Sequence, residues 1–498
     1  MNRRIFGIET EFGCLVHDPA VGSPEHVAEQ VKNHVFLRQK KGVIDLHARD
    51  YTFEPARAGG FLVNGGRLYV DAVGDHEEYA TAECSDLFEL VAHERAGHRI
   101  LQQALRELNL AGQVSFHNNS VDHFGGHTFG CHENFLARLD EDFFRDAVAY
   151  LLPFLVTRQI FAGVGRVGGH RLNRTDFRNN IMRMSEHEVD YIWVHNFYGV
   201  EVDRTVDFQL SQRADHILKT VASKVRFNRA IINPKWDSYY NFSNMHRLHL
   251  LFGEANMSEW ATAMKIGTTA LALDLVEEGL IPASARLIDP IETLRTVSRD
   301  PTWRWIVRLV DGTTIPSVDL QRLYLELAQR YLAGRDAQTD WLLREWDYAL
   351  TGLEADPMLL DDRVDWVAKR KLLQLFMEAD GVGWQDDVMH SLDLEYHNID
   401  PEQGLYYGLV ESGQMLRVLD EGQVETACEL PPSDTRAAAR GRVIRGLIES
   451  GARKYVIDWD SVYLDRDRYL ELRDPFRSYH KEAEKFARGL SPKGACDV

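Results

Sequence analysis

Residues 65–84 read GGRLYVDAVGDHEEYATAEC, and their pattern changes halfway along. In the first half, polar and apolar residues alternate, which predicts a β-strand with Arg67, Tyr69 and Asp71 on one face. The second half is acidic and contains Asp75, Glu77, Glu78 and Glu83. The segment is either an acidic surface strand with its loop or one wall of an active site.

An earlier acidic strand is predicted at IETEFG, residues 8–13. Glu9 and Glu11 are two residues apart, so both carboxylates point from the same face of a strand. They cannot share a buried face without a cation or a proton, because like charges repel strongly in a low dielectric. The alternative is an exposed edge strand, where the repulsion costs little. Neighbouring apolar residues favour a metal site, and these oxygen ligands suit Mg²⁺, which usually serves substrate phosphates.

The side chains of the GRLYVD strand fit related chemistry. Arg67 is suited to bind a phosphate bidentately, and Tyr69 could support a metal or a substrate. Asp71 could act as a base or as a nucleophile. Taken alone, however, a motif of this kind is more often a cross-strand ion pair.

Two further strand-like segments carry polar residues, TFGCHENFLARL at 128–139 and HRLHLLFGE at 246–254. The residues concerned are His132, Glu133, Asn134, Arg247 and His249. Each segment by itself is explained more simply by a satisfied buried histidine or by turn-forming asparagines. Their recurrence on separate strands indicates a sheet whose concave face holds a metal and a phosphate.

Helices and strands do not alternate regularly along the chain, so a doubly wound parallel sheet is not predicted. We expect an α+β architecture, with an antiparallel or mixed sheet packed against helices. Helices are predicted at 24–36, 86–110, 258–278, 363–378 and 434–450, with Asp86 and Asp434 as caps. Residues 170–206 show no clear period, which indicates either an inserted subdomain or a surface excursion. A small separate domain is predicted to begin near residue 416. The absence of a G-x-x-x-x-G-K-[ST] motif excludes a P-loop.

Composition narrows the class of protein. The 498 residues carry a net charge of −19, from 76 acidic and 57 basic residues, which disfavours binding to nucleic acid or to an anionic membrane. The first residues, MNRRIFGIETEFG, lack the apolar run of a secretory signal, and the most apolar stretches are too short to span a bilayer. The 5 cysteines lack CxxC spacing, so reduced thiols and a cytoplasmic location are expected.

The ordered motifs resemble those of a known family. The motifs are RRIFGIETEFG, GRLYVD, EEYATAEC, GCHENF, FQLSQRADHI, RLHLLFGEANMSE, DWVAKRKLL and PPSDTRAAARG. They resemble the family of Pup ligases and Pup deamidase/depupylases, relatives of glutamine synthetase and of carboxylate–amine ligases. The resemblance implies a glutamine-synthetase-like catalytic domain at 1–415, with a curved, mainly antiparallel sheet, and a small C-terminal domain at 416–498.

The resemblance also implies ligands and site residues. The ligands are ATP and Mg²⁺, and the partners are a Pup-like modifier, its lysine conjugates and, functionally, a bacterial proteasome. Glu9, Tyr69 and Glu78 would bind Mg²⁺, Asp71 would be catalytic, and Arg67, Thr81 and Trp459 would contact ATP. By analogy with the shared fold, the further candidates for metal or phosphate contacts are Glu11, Glu133, Arg247 and His249. Arg436 and Arg440 either meet the acidic modifier or form a solvated helix face, and Asp75 and Glu77 are expected to be solvated loop charges.

The two branches of the family run different reactions on one bond. A ligase joins the C-terminal glutamate of Pup to a lysine through a γ-glutamyl phosphate, whereas the other branch hydrolyses that bond or deamidates a terminal glutamine. The C-terminal motifs SDTRA, WDSV and LYYGLVESGQMLRVL resemble the hydrolase branch, so we expect a depupylase/deamidase, with the ligase as the alternative. A small-molecule glutamate–amine ligase and an inactive binding scaffold stay open as other classes, although the intact acidic residues argue against the scaffold.

Overall fold

A computed structural model describes residues 4–45, 59–71, 76–123, 126–138, 143–173, 199–222, 229–234, 245–452, 454–464, 468–488 and 490. These residues form two compact units. The terminal unit combines the described parts of 5–116 and 419–498, and the central unit contains most of 117–418. The chain passes from one unit to the other between Val418 and Leu419. The division into domains at 1–415 and 416–498 stays a prediction.

The secondary structure elements are numbered in chain order. The strands are β1 Phe6–Val16, β2 Gly42–Ile44, β3 Gly60–Leu62, β4 Arg67–Asp71, β5 His76–Ala80, β6 Val114–His117, β7 Cys131–Ala137, β8 Arg166–Asn173, β9 Gly199–Gln209, β10 Lys219–Val221, β11 Ala230–Pro234, β12 His246–Leu250, β13 Ile306–Arg308, β14 Thr314–Pro316, β15 Tyr455–Ile457, β16 Ser461–Leu464 and β17 Arg468–Glu471. The α-helices are α1 Pro24–Asn33, α2 Leu87–Glu107, α3 Val148–Thr157, α4 Gln159–Ala162, α5 Glu259–Glu277, α6 Pro290–Arg299, α7 Ser317–Leu332, α8 Ala337–Ala355, α9 Asp365–Asp380, α10 Asp387–Tyr396, α11 Leu405–Glu411, α12 Glu421–Glu429, α13 Ala437–Ser450 and α14 His480–Arg488.

The main sheet of the terminal unit follows from the alternation in β1. Its strands lie in the order β2, β3, β4, β5, β1, each antiparallel to its neighbour. Along β1, Phe6, Ile8 and Phe12 are buried, while Glu9 and Glu11 on the other face are partly exposed. Helices α1 and α2 pack against the sheet, and the ring of His98 in α2 lies 5.6 Å from that of Phe12 on the buried face. The acidic side chains therefore project from the face opposite these helices.

The C-terminal segment completes the core of the terminal unit. Strands β15, β16 and β17 form an antiparallel sheet, and α13 packs against α14. Val43 of β2 and Phe61 of β3 share one hydrophobic cluster with Val443 of α13 and Val462 of β16, and none of these four is more than 8% exposed. Burial of this shared apolar surface holds the N-terminal and C-terminal segments together.

The central unit is built around a buried helix. In α5 the buried residues run from Glu259 to Val276, and α3, α4, α7 and α8 all contact this helix. Such burial on all sides agrees with a sequence that is apolar around the whole helix. Strands lie in the order β10, β11, β12, β7, parallel between β10 and β11 and antiparallel elsewhere. The prediction of an α+β fold built mainly from antiparallel strands is confirmed.

Two helix predictions are confirmed in detail. Asp86 caps α2 by accepting a hydrogen bond from the Glu89 backbone (2.9 Å), and α5 begins after the cap Ser258. Within the described residues, we find no helix that is both long and apolar enough to cross a membrane.

Other local predictions need correction. Asp434 does not cap α13, which begins at Ala437, because its carboxylate instead accepts a hydrogen bond from the Ser85 hydroxyl. The segment KYVIDWDSVYL forms two strands, β15 and β16, with a turn between them. Of the predicted insertion at 170–206, only the ends are described, and these belong to the antiparallel pair β8 and β9; the remainder lies outside the described residues.

Candidate active site

Three neighbouring strands of the terminal unit place acidic side chains on one face. Glu78 of β5 lies directly opposite Glu11 of β1 on one side and Tyr69 of β4 on the other. Asp71 lies opposite His76, two residue pairs further along the same two strands. Because directly opposed residues point to the same face, these side chains share one surface of the sheet.

The centre of this surface is a cluster of carboxylates. One oxygen from each of Glu11, Asp71 and Glu78 lies within 4.8 Å of the others. Burial raises the pKa of Glu78 well above its usual range, and the neighbouring carboxylates of Asp71, Glu9 and Glu11 raise it further. Such a cluster is stabilised either by a retained proton or by a cation. Its oxygen ligands fit Mg²⁺, so the residues present are suited to the metal that the resemblance implies.

Tyr69 and His76 lie at the edges of this carboxylate cluster. The Tyr69 hydroxyl hydrogen-bonds Glu78, and burial raises the pKa of Tyr69 well above its usual range, with Glu78 and Glu9 adding to the effect. His76 Nδ1 lies 3.3 Å from Glu11 Oε2. Tyr69 is therefore adjacent to the predicted metal ligands, as the resemblance implies, while His76 was not singled out in the sequence.

Arg67 is held by a residue that the sequence did not reveal. Its Nε and Nη2 donate hydrogen bonds to Asp45 Oδ2, at 3.2 and 2.8 Å, and its guanidinium lies 4.5 Å from the centroid of the Tyr69 ring. The only local sign of Asp45 is an isolated acidic residue after the short apolar strand β2. Thr81 follows β5, and its Oγ1 accepts a hydrogen bond from the Ile8 backbone at 3.1 Å. Two of the three predicted ATP-contact residues, Arg67 and Thr81, therefore have fixed positions.

The reverse side of β5 carries an acidic side chain whose burial was not expected. Glu77 was expected to be a solvated loop charge, but it lies within β5 and is fully buried, on the face opposite Glu78. Burial raises the pKa of Glu77 well above its usual range, an effect that the nearby ammonium of buried Lys32 opposes. The expectation was wrong because charged residues in HEEYA concealed the strand. Asp75 lies outside the described residues.

Trp459 lies in the turn between β15 and β16 of the same unit. The residue is partly exposed, and the centroid of its ring lies 5.1 Å from that of the Phe61 ring, with the two planes nearly perpendicular. The guanidinium of Arg440 lies 4.8 Å from the centroid of the Trp459 ring. Arg440 and Arg436 were expected to meet the modifier or to form a solvated face, but both are buried and paired with Glu83. That expectation is corrected because an inward-facing acidic residue, rather than solvent, holds them.

The remaining candidates lie in the central unit. Arg247 Nη1 donates a hydrogen bond to Asn134 Oδ1 at 3.0 Å, and the rings of His249 and His132 lie 4.9 Å apart. Glu133 does not share their face: alternation along β7 turns it the other way, and Arg158 binds both of its carboxylate oxygens. The structure thus brings Arg247 and His249 onto one surface and separates Glu133 from them.

Comparison with known proteins identifies the family. The family described as Pup-ligase protein matches residues 4–463. A Pup–protein ligase of Nakamurella multipartita is 34% identical over 504 residues, which covers 98% of this chain and 100% of that protein. Pup–protein ligase 1 of Rhodococcus erythropolis is 35% identical over 504 residues, with the same coverage of 98% and 100%.

Two solved structures are similar along most of the chain. A crystal structure of the complex between the prokaryotic ubiquitin-like protein Pup and its ligase PafA matches with a TM-score of 0.78 and 28% identity, covering 98% of this chain and 91% of that one. The Pup ligase PafA in complex with ADP matches with a TM-score of 0.73 and 30% identity, covering 86% of this chain and 90% of that one.

These comparisons bear on the expected direction of the reaction. Each of these relatives is named a ligase, so they favour the ligase alternative over the depupylase/deamidase. The motif SDTRA resembles the hydrolase branch, and its Arg436 pairs with Glu83 inside the terminal unit. With a family match over residues 4–463 and relatives more than 30% identical along nearly its whole length, the chain belongs to the Pup-ligase family.

Proposed function

We propose that this chain is an ATP- and Mg²⁺-dependent ligase that joins the C-terminal glutamate of a Pup-like modifier to a lysine of a target protein. The observation that carries the proposal is the carboxylate cluster of Glu11, Asp71 and Glu78, beside Arg67, in a chain whose relatives are Pup–protein ligases. Carboxylates that hold Mg²⁺ and an arginine that binds phosphate are what a nucleotide-dependent ligation needs.

Under this proposal, Mg²⁺ is held by Glu78, Glu9 and Tyr69, together with Glu11. Glu78 has the central place because it lies opposite Glu11 and Tyr69 at once. The metal neutralises phosphate charge when ATP is bound. Glu133 is left out of the proposed metal site, since Arg158 occupies both of its oxygens.

The nucleotide contacts are proposed for Arg67, Thr81 and Trp459. Asp45 orients Arg67 through two hydrogen bonds, which prepares the guanidinium for a phosphate. The Thr81 hydroxyl accepts one hydrogen bond from Ile8 and keeps its proton to donate. The partly exposed ring of Trp459 offers an aromatic surface for a nucleotide base. The predicted roles of Arg247 and His249, in phosphate and metal contacts, stay predictions.

Asp71 is proposed as the base of the second half of the reaction. First, the γ-phosphoryl group of ATP passes to the glutamate side chain of the modifier, which leaves ADP and an acyl phosphate. The lysine nitrogen then attacks the acyl carbon, inorganic phosphate leaves, and Asp71 accepts the proton that the nitrogen loses. The position of Asp71 within the carboxylate cluster, on the same face as Arg67, supports this role.

The proposal is tested by offering the protein both directions of the reaction. With ATP, Mg²⁺, a Pup-like modifier ending in glutamate and a lysine-bearing protein, we expect one conjugate, one ADP and one phosphate per turnover. Release of modifier from a preformed conjugate, without conjugate formation, would instead identify the hydrolase. Glutamyl transfer to a small amine but to no protein would identify the small-molecule ligase.

The biological setting belongs to the same proposal. The conjugates would be substrates of a bacterial proteasome, which is the functional partner that the family resemblance implies. ATP and the lysine-bearing targets of such a pathway are cytoplasmic, so we place the reaction in the cytoplasm. Conjugates that accumulate in cells when the proteasome is inhibited, and only when this protein is present, would support the link.

A further inference from the structure

Glu83, Arg436 and Arg440 form a buried ion cluster, which we call the Glu83 clamp. Arg436 Nε donates to Glu83 Oε1 at 2.6 Å and Arg440 Nη1 donates to the same oxygen at 3.1 Å, while Arg440 Nη2 donates to Oε2. The side chains of Glu83, Arg436 and Arg440 are 12%, 7% and 0% exposed. Burial acts to raise the pKa of Glu83, but the guanidinium groups of Arg440 and Arg436 lower it to about 2. The clamp is therefore charged at neutral pH.

Arg440 uses every donor it has, and it reaches three separate segments. Nε and Nη2 donate to the Gly65 carbonyl at 3.2 and 2.7 Å, and Nη1 donates to the Trp459 carbonyl at 2.8 Å. With the two bonds to Glu83, this accounts for the five N–H groups of a guanidinium. Its flat face also lies against the ring of Trp459, at 4.8 Å from the centroid. No donor is left for a modifier.

The backbone around Arg440 is fitted to this arrangement. Gly441, the next residue, packs so closely that a Cβ there would lie 2.5 Å from the Val63 carbonyl oxygen. Gly65 has a φ of +82°, and a Cβ there would lie 2.9 Å from the Cβ of Ala437. Because they carry no Cβ, these two glycines let α13 approach the turn before β4 closely. This explains why a glycine follows Arg440 in the motif TRAAARG.

The three segments that Arg440 joins are those that carry the proposed nucleotide contacts. Gly65 lies two residues before Arg67, and Glu83 lies two residues after Thr81. Trp459 is itself the third contact. One buried guanidinium thus fixes the relative positions of the start of β4, the segment after β5, and the aromatic ring.

We propose that Arg440 is a positioning residue of the nucleotide site, which acts through Trp459 and through the ends of β4 and β5. The inference rests on the proposed function, because it assumes that these segments bind nucleotide. It assigns a role in ATP affinity to a residue that is fully buried and makes no contact with substrate. Lysine cannot replace Arg440, since a single ammonium lacks the planar fork that reaches three segments.

The test is a double-mutant cycle on the binding of ADP with Mg²⁺, measured by calorimetry on the full chain. We expect Arg440→Lys and Trp459→Leu each to weaken ADP binding by about tenfold, a typical size for residues in one network. Combined, they should weaken ADP binding clearly less than the product of the two effects, because Arg440 acts in part through the ring. Independent residues would instead give about a hundredfold loss, the product of the two effects.

Two control variants separate positioning from stability. Arg436→Lys perturbs the Glu83 clamp but leaves the bonds of Arg440 to Gly65 and Trp459, so ADP affinity should stay within about twofold of the wild type. Arg4→Lys alters another buried arginine, bonded to Asp274 and Glu277 in the central unit, and should change only the unfolding transition. Should Arg440→Lys fail to fold, Glu83→Gln takes its place, since it weakens the hold on Arg440 with that residue still present. It should weaken ADP binding by less than tenfold, and again non-additively with Trp459→Leu.

Several outcomes would overturn the inference. Wild-type ADP affinity in Arg440→Lys, an equal loss in Arg436→Lys, or a fully additive double variant would each show that Arg440 does not position the site. If the wild-type protein itself binds no ADP, the proposed function fails as well. Normal binding by the wild type with an additive cycle would refute this inference alone.

Discussion

Replacing Glu11 by glutamine tests the carboxylate cluster directly. Oxygens of Glu11, Asp71 and Glu78 lie within 4.8 Å of one another, and two unit charges at that distance repel by about 3.5 kcal/mol at an effective dielectric constant of about 20. The raised pKa of Glu78 reduces this repulsion, because a retained proton cancels part of the charge. The contact of His76 with Glu11 offsets a further part. We therefore expect Glu11→Gln to raise the free energy of unfolding of the metal-free protein by about 1–2 kcal/mol.

The stabilising effect of Glu11→Gln should largely disappear when Mg²⁺ is present. A ligand that binds only the folded state stabilises it in proportion to the logarithm of its affinity. Glutamine offers Mg²⁺ a neutral oxygen in place of a charged one, so a tenfold weaker site would lose about 1.4 kcal/mol of that stabilisation at saturating metal. The variant should thus be more stable than the wild type in chelator and gain less from Mg²⁺.

The assay is urea unfolding in chelator and in Mg²⁺, followed by the fluorescence of the tryptophans. Glu425→Gln is the matched control, because Glu425 is an exposed carboxylate of α12 in the same unit. Glu425→Gln should gain as much free energy of unfolding from Mg²⁺ as the wild type does. The reasoning would be refuted if Glu11→Gln destabilised the metal-free protein, or if it kept the full stabilisation by Mg²⁺.

Three further outcomes are expected. Asp71→Asn should abolish conjugate formation while ADP affinity stays within about twofold in calorimetry, since a base of the second step is lost and the nucleotide contacts are not. Glu83→Gln should lower the free energy of unfolding by about 3 kcal/mol near pH 7, because the pKa of Glu83 is about 2 in the folded protein and ordinarily 4.5. In urea unfolding, this difference from the wild type should be constant above pH 4.5 and vanish as the pH falls toward 2. His93 is buried, and burial lowers its pKa to about 3. As the pH falls below 6.5, His93 therefore binds a proton in the unfolded chain but not in the folded one, and the free energy of unfolding decreases. His93→Phe should reduce the slope of this decrease by up to about 1.4 kcal/mol per pH unit.

The strand that opens with Arg67 could be predicted from sequence because its polar and apolar residues alternate. The same reasoning placed Glu9 and Glu11 on one face, since a period of two is a local property. What it could not supply was the register that sets Glu11 opposite Glu78, which depends on strands far apart in the chain.

Strand β5 and the Glu83 clamp show why the rest was missed. HEEYA has two adjacent glutamates, which lowers its apparent β-propensity. Both nevertheless lie in the sheet, Glu77 near the ammonium of Lys32 and Glu78 within the carboxylate cluster. Similarly, the arginines of TRAAARG have the spacing of a helix face, and only their distant partner Glu83 shows that this face is buried.

The discontinuous terminal unit has a consequence for biosynthesis. About 300 residues separate its N-terminal part, which ends at Phe116, from its C-terminal part, which begins at Leu419. At roughly 5–20 residues per second, a ribosome needs roughly 15–60 s to make the intervening chain. During that time Val43 and Phe61 have no contact with α13 and β16, so their apolar surface must wait for nearly the last residues to emerge. The nascent acidic strands are thus made early, but the core that supports them can close only when translation is almost complete.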